Sequence, residues 1–410
     1  KSMIKKVEVL VTMEGSKLLI SSYKDKYLAV YYKGDKAYDI EVIDKGIRML
    51  DSIHIAKVGN IVDNISAAFL DIVSPDNKDE KIKAYYSLND NKRHVYTDCF
   101  EHAVLKQNDE ILVSITKEAA KGKACIASSN LSLSGVYIVL SLGRGKITFS
   151  SKIDDKVWKE EIKSELEDYL DKDFNIVLRT NSYRVDKELI LKELDLLSEE
   201  MRGLLEKARH TKAPALIKVS DKEYVGLLKQ YLSYELKEII TDIDEVYADI
   251  DSYLKNNNKT GSVSLRLYKD ELLSLNKLYA LDSLIEGIRQ RKVWLRNGAY
   301  IVIDHTEAMT VIDVNTGKTD INKSAEQTVY YTNFEAAKEI ARQLRLRNIS
   351  GIIIIDFIDM KSKELRDKLF NKLNKELKED KVRARAIDYT ALNLVELTRQ
   401  KIKKPLHEVL

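Results

Sequence analysis

Two aspartates and an asparagine interrupt apolar, strand-like runs late in the chain. In AMTVIDVNTG, residues 308–317, Asp313 and Asn315 interrupt a run of the strand formers Met309, Val311 and Val314. Two positions apart on a strand, those polar side chains share one face. In GIIIIDF, residues 351–357, Asp356 closes a run of isoleucines. A carboxylate in such surroundings needs hydrogen bonds, water or a cation. Two carboxylates aided by an amide, with no histidine or thiolate, form a hard-oxygen set that suits Mg²⁺, with Mn²⁺ as the alternative, and not zinc. A Mg²⁺ held by two carboxylates keeps several waters, one of which a phosphate oxygen can replace. The ion then neutralises charge on phosphorus and activates an attacking water. Taken singly, an aspartate at a strand end is more often a cap or turn former, so neither carries this chemistry alone.

To act together, Asp313 and Asp356 must sit on neighbouring strands of one sheet. AYIVIDHTEAMTVIDVNTG reads as two strands around a short turn. TNFEAAKEIARQLRLRN follows as a helix, opened by the capping box Thr332 and Glu335 and periodic at Phe334, Ala337, Ala341 and Leu344. GIIIIDF is apolar on both faces, as expected in the middle of a helix-covered sheet, and SKELRDKLFNKLNKEL is a further helix. Covered sheets of this kind bind ligands beyond the C-terminal ends of their strands, where both aspartates fall. Lys338, Arg342 and Arg345 share a face of the intervening helix and predict a positive surface for phosphates. A plain solvated helix face is the alternative.

The rest of the chain divides by pattern. Residues 17–44 read as β-hairpins with a Lys33-Gly34-Asp35 turn. From Ile53 to about Ser132, IHIAKVGNIV, SAAFLDIV, KAYYSL, EILVSITKE and KACIASSNLSL are five short strands, predicting a small barrel with the OB fold as leading candidate. From 133 to 220 the pattern is α+β. Trp158, Ile162, Leu166 and Leu170 have helical spacing. Asp186 N-caps a long helix with an apolar stripe at Ile190, Leu194, Leu197, Met201 and Leu205, ended by Pro214. Helices are expected over 221–239 and 269–290, separated by the turn-rich NNNKTG. The prediction is an α+β multidomain chain with segments 1–50, 51–132, 133–222, 223–290 and 291–404.

Composition sets the bounds. The chain has 410 residues, 44% hydrophobic and 32% charged, as in a charge-rich globular protein of several domains. A net charge of +3 gives no reason by itself to invoke nucleic acid, so any basic surface is local. Cys99 and Cys125 are the two cysteines, too few for a disulfide framework or a cysteine zinc site. No apolar run approaches a membrane span and no leader is visible, so a soluble, cytoplasmic protein is expected. Lys1-Ser2 reads as a remnant ahead of Met3.

AMTVIDVNTG, TNFEAAKEIARQLRLRNISGIIIIDFIDM and VELTRQ closely resemble the catalytic region of the ribonuclease E/G family of bacterial endoribonucleases. The resemblance runs without a gap from Asp313 to Asp356. It implies a DNase I-like α/β catalytic subdomain over 291–404, in which Asp313 and Asp356 bind a catalytic Mg²⁺ and Asn315 supports them. It also implies an RNase H-like portion formed by 1–50 and 223–290, an inserted OB-fold barrel over 51–132, and a 5′-sensor region over 133–222. The implied reaction is hydrolysis of single-stranded RNA to 5′-phosphate and 3′-hydroxyl ends, in RNA processing or decay. IHIAKVGNIVDNISAAFLDI resembles the family's RNA-binding barrel, which carries the stacking role onto Phe69 and Tyr85 and a basic contact onto Lys123. Stacking demands no particular base, although Phe69 beside Ala67 and Ala68 also reads as core. NIVLRTNS resembles the pocket that senses a 5′-monophosphate. There Arg179 and Thr180 are implied to hold the phosphate, Val139 to contact the terminal base, and Arg383 to add a further arginine.

The sequence departs from the family in four places, one of them a longer loop over 74–83. It ends at RQKIKKPLHEVL without the cysteine motif through which subunits share zinc, so no zinc is expected in this chain. A homodimer stays open, and the zinc-linked tetramer loses its support. Ala56 stands where glycine is common, and AYYSL replaces a Gly-Phe-Leu pattern in the barrel. Two other classes of function compete with the nuclease: a non-catalytic RNA-binding or scaffold protein, and a phosphodiesterase acting on DNA or small nucleotides.

Overall fold

The strand Ser16–Tyr23 pairs on one side with its hairpin partner Lys26–Lys33 and on the other with Leu236–Thr241, far along the chain. This long-range parallel pairing ties the N-terminal hairpins to the C-terminal half. In the computed structural model, residues 15–46, 48–77, 79–97, 104–119, 123–232, 236–256, 263–317 and 325–409 are described. Contacts divide the chain into one unit of residues 1–44 and 236–410 and another of residues 45–235. Cys99 and the NNNKTG break after Asn256 lie outside the described residues.

The first unit contains two sheets. One has five strands in the order Ser264–Leu267, Leu236–Thr241, Ser16–Tyr23, Lys26–Lys33 and Lys36–Asp44. The other has six, in the order Lys292–Trp294, Tyr300–His305, Met309–Asn315, Gly351–Asp356, Val395–Arg399 and Ala384–Tyr389. Only its central pair, Met309–Asn315 with Gly351–Asp356, runs parallel. Parallel neighbours need a crossover, and the helix Ala325–Leu346 supplies it. That helix and Lys363–Lys378 cover one face, burying Ile301, Ile303, Ile312, Ile353, Ile355 and Leu397 against Ile340, Leu344, Leu369 and Leu373.

The expected two-sided cover is corrected here. The opposite face of the six-stranded sheet is open, with Ile352 55% and Met309 38% exposed. The alternation along Met309–Asn315 therefore marks a half-buried strand, and the isoleucine run hides the same alternation. Other expectations are also corrected. Residues 221–239 form a helix, Glu223–Tyr231, followed by the strand Leu236–Thr241. The 269–290 stretch is two helices, Leu275–Leu278 and Leu281–Arg289, split at Ala280, whose φ is +49°. Thr332 does not open its helix, which begins at Ala325. It is buried instead, its Oγ1 accepting a hydrogen bond from Asn297 Nδ2 at 3.2 Å.

In the second unit, Ile53–Val62, Ala67–Val73, Lys81–Ser87, Cys125–Ser128 and Glu110–Lys117 pair in that order, and the last returns to the first. This closes a five-stranded, OB-like barrel around Val58, Leu70, Tyr86, Ile111 and Cys125. Ser132–Ser134 belongs instead to a four-stranded sheet with Ile138–Leu142, Phe174–Leu178 and Ile147–Phe149. The helix Lys187–Arg209, N-capped by Asp186 as expected, packs on that sheet through Ile190, Leu194 and Met201.

Candidate active site

Asp356 ends its strand and Asp313 lies two residues before the end of the parallel neighbour. The two stand directly opposite each other in the pairing register, one strand spacing of about 4.8 Å apart at the backbone. Both are exposed, on the open face. Asn315, two residues on, donates from Nδ2 to Asp313 Oδ2 at 2.7 Å. Burial, then the charge of Asp313, then that of Asp359 raise the Asp356 carboxyl above its ordinary range. Among the described residues neither Asp313 nor Asp356 is ion-paired. Two uncompensated carboxylates beside an amide oxygen, open to water, are a donor set that fits a hard dication. No group of three or more His, Cys, Asp and Glu gathers for a metal among the described residues, so a bound ion would draw most of its coordination from water and substrate.

The basic helix face is a correction. Arg345 is only 4% exposed, its guanidinium 4.0 Å from the ring centre of Tyr38. Arg342 donates to Glu339 at 2.8 Å and to the Ala37 carbonyl at 3.0 Å. Lys338 pairs with Glu335 at 2.6 Å. The two arginines fasten the helix to the strand Lys36–Asp44 and its neighbours, and are committed before any phosphate arrives.

On the barrel, Phe69 and Tyr85 are opposed on adjacent strands, with ring centroids 6.0 Å apart, edge to face. They are half-buried, whereas their neighbours Ala68, Leu70, Ala84 and Tyr86 are fully buried. Alternation therefore puts both rings on the outer face of the barrel, not in its core. Lys123 is exposed at the start of the neighbouring segment. In the four-stranded sheet, Val139 is half-buried opposite Val177, one residue pair from Leu178. Arg179 follows Leu178 and donates from Nη1 to the Gly135 carbonyl. Thr180 is exposed, its Oγ1 3.0 Å from Ser150 Oγ. Arg383 is exposed in the other unit.

A family model, that of the Ribonuclease E/G family, matches residues 132–402. The chain belongs to the ribonuclease E/G family. It is 30% identical to a putative ribonuclease E of Buchnera aphidicola over 96% of this chain and 97% of that protein. It is 29% identical to ribonuclease E of a Nostoc species over 93% of this chain, and spans 55% of that relative's length. Against ribonuclease G of Escherichia coli the identity is 25%, over 96% of this chain and 82% of that one.

Within this ribonuclease E/G family chain, two supporting side chains escape a reading of motifs. Asn333 is fully buried on the crossover helix. Its Nδ2 donates to the Ile358 carbonyl at 2.8 Å and its Oδ1 accepts from the Ile358 amide at 3.1 Å, which clamps the loop between Asp356 and Asp359. Glu193, 9% exposed on the long helix, accepts from the amides of Val136, Tyr137 and Ile138 at 2.7, 2.7 and 2.9 Å. It thereby fixes the turn that leads into Val139 and whose Gly135 carbonyl receives Arg179. A buried glutamate in an apolar stripe was the available signal. No helix among the described residues is long and apolar enough to cross a membrane.

Proposed function

We propose that the chain is a Mg²⁺-dependent endoribonuclease of the cytoplasm that hydrolyses single-stranded RNA to 5′-phosphate and 3′-hydroxyl ends and favours 5′-monophosphorylated substrates. The observation that carries this reading is the register pairing of Asp313 with Asp356, supported by Asn315, on an open sheet face. The two carboxylates would hold the ion and Asn315 would orient Asp313. Mg²⁺, when bound, polarises the phosphate and lowers the pKa of a coordinated water. Asn333 keeps the Asp356 loop in place so that the donor set is pre-organised. Phe69 and Tyr85 offer outward aromatic edges for stacking, with Lys123 as a phosphate contact. Arg179, Thr180 and Val139 form the proposed 5′-phosphate pocket, and Arg383, in the other unit, keeps a role in sensing the RNA end by family resemblance alone. A homodimer is part of the proposal and zinc is not.

The test is cleavage of a short 5′-monophosphorylated, A/U-rich RNA with Mg²⁺, with EDTA, and with matched 5′-triphosphate and 2′-deoxy strands. EDTA-sensitive cutting of the ribo strand alone supports the reading. Binding without cutting would leave a non-catalytic RNA-binding protein, and equal cutting of the deoxy strand would make this a general phosphodiesterase.

A further inference from the structure

The open face carries more than the carboxylates. In the pairing register Lys292 stands opposite Val302, Val302 opposite Asp313, and Asp313 opposite Asp356. The next row holds Trp294, Tyr300 and Asn315. Opposed residues on neighbouring strands project to the same side, so all these side chains share the face of the proposed site. Trp294 is 63% exposed. Its ring centre lies 5.2 Å from that of Tyr300, and the Lys292 ammonium sits 4.0 Å from the indole centre and 3.6 Å from the phenol centre. The apolar neighbours Leu295 and Ala299 point the other way, into the core under the helices. The indole is therefore no part of the helix-covered core. A broad aromatic surface is held in water on a rigid strand pair, with a cation over it.

We propose that Lys292, Trp294 and Tyr300 form a nucleotide subsite that stacks one base of the RNA on the indole and pairs a neighbouring phosphate with the lysine. The proposal rests on the ribonuclease reading and deepens it by naming a substrate contact at the same site. Two strand spacings, about 10 Å, separate the Lys292 and Asp313 positions, so the held nucleotide lies near the scissile phosphate without being part of it. Charge complementarity favours a nucleic acid here. The row offers a cation at one end and a carboxylate pair that needs a cation at the other, so both ends match phosphates, one directly and one through the ion. Every base has a π-face, so such a platform accepts RNA without demanding a sequence. A second copy of this chain is the competing occupant, and it would show itself through the state of assembly.

The chain has two tryptophans, Trp158 and Trp294, so Trp158→Phe leaves Trp294 as the single indole emitter. In that protein, with Asp313→Asn added to prevent turnover, a short 5′-phosphorylated oligoadenylate should quench the emission and inorganic tripolyphosphate should not. In the active protein, Trp294→Ala should raise KM about five- to hundredfold while kcat moves less. Trp294→Phe should restore most of the loss, and Lys292→Ala should flatten the salt dependence of KM. Wild-type cleavage with no quenching and an unchanged KM in Trp294→Ala would overturn the subsite and leave the nuclease intact. Quenching without any wild-type cleavage would keep the subsite and remove the nuclease. If sedimentation shows that Trp294→Ala dissociates a dimer at unchanged KM, the face is a contact between copies and the subsite is wrong.

Discussion

Asp313 and Asp356 face each other across the only parallel strand pair of their sheet, and burial, then the charge of Asp313, raise the Asp356 carboxyl. Like charges directly opposed on neighbouring strands destabilise a sheet. The fold keeps them nonetheless, and a cation bound there would offset the cost.

Neutralising one of the pair should separate stability from activity. Asp356→Asn should raise thermal stability by roughly 0.2–1 kcal/mol and lower Mg²⁺-dependent RNA cleavage by about a hundredfold or more. Calorimetry and the cleavage assay read the two effects. Full activity in the variant would refute the metal assignment.

Asn333 should matter for both properties at once. Asn333→Ala leaves the Ile358 amide and carbonyl without their partner, costing about 1–3 kcal/mol by urea denaturation. The loop between Asp356 and Asp359 would loosen, so the Mg²⁺ concentration for half-maximal cleavage should rise. An unchanged Mg²⁺ titration would confine Asn333 to a purely structural role.

Glu193 should control discrimination between RNA ends. Its carboxylate serves three backbone amides, so Glu193→Ala should cost about 3 kcal/mol or more. Glu193→Gln, which keeps one acceptor oxygen, should cost less. In either protein the rate advantage of 5′-monophosphate over 5′-hydroxyl RNA should shrink, while cleavage of 5′-hydroxyl RNA changes little. Retained discrimination in both would show that the turn holds its shape without the carboxylate.

Acid should weaken the 45–235 unit through His54. This residue is fully buried in the barrel strand Ile53–Val62, with Nε2 2.8 Å from Ser52 Oγ, and burial lowers its pKa to about 4. The unfolded chain takes up the proton near pH 6.5, whereas the folded one resists until about pH 4. Stability is therefore complete above pH 6.5 and is lost as pH falls towards 4, by up to about 3 kcal/mol. Denaturant midpoints at pH 7.5 and pH 4.5 measure the loss, and His54→Gln should remove that part of the slope. A slope equally steep in the variant would place the acid sensitivity elsewhere.

The carboxylate pair was legible in the sequence because Asp313 and Asp356 break runs of strand formers, and a polar break in an apolar run is a local signal. The barrel was legible for the same reason, strand by strand. Three kinds of information were not local. The stretch from Lys222 to Ile239 keeps a helical apolar period into a strand that pairs with Ser16–Tyr23 and Ser264–Leu267, both distant along the chain, and short apolar runs do not distinguish helix from strand. Arg345 looks solvated until Tyr38, which lies in the N-terminal hairpins, closes over it. Lys292, Trp294 and Tyr300 share no motif, and only the register of three strands lines them up with Asp313 and Asn315.

Between the end of the crossover helix at Leu346 and the strand that starts at Gly351 lies a short turn, shaped by left-handed Asn348 at φ +48° and Gly351 at φ +91°. Side chains on a strand alternate sides. If the gain or loss of a single amino acid in that turn slipped the pairing by one residue, Asp356 would face inward among Ile340 and Leu373 and Ile355 would face out in its place. Chemistry here is written in an interval as much as in two acids.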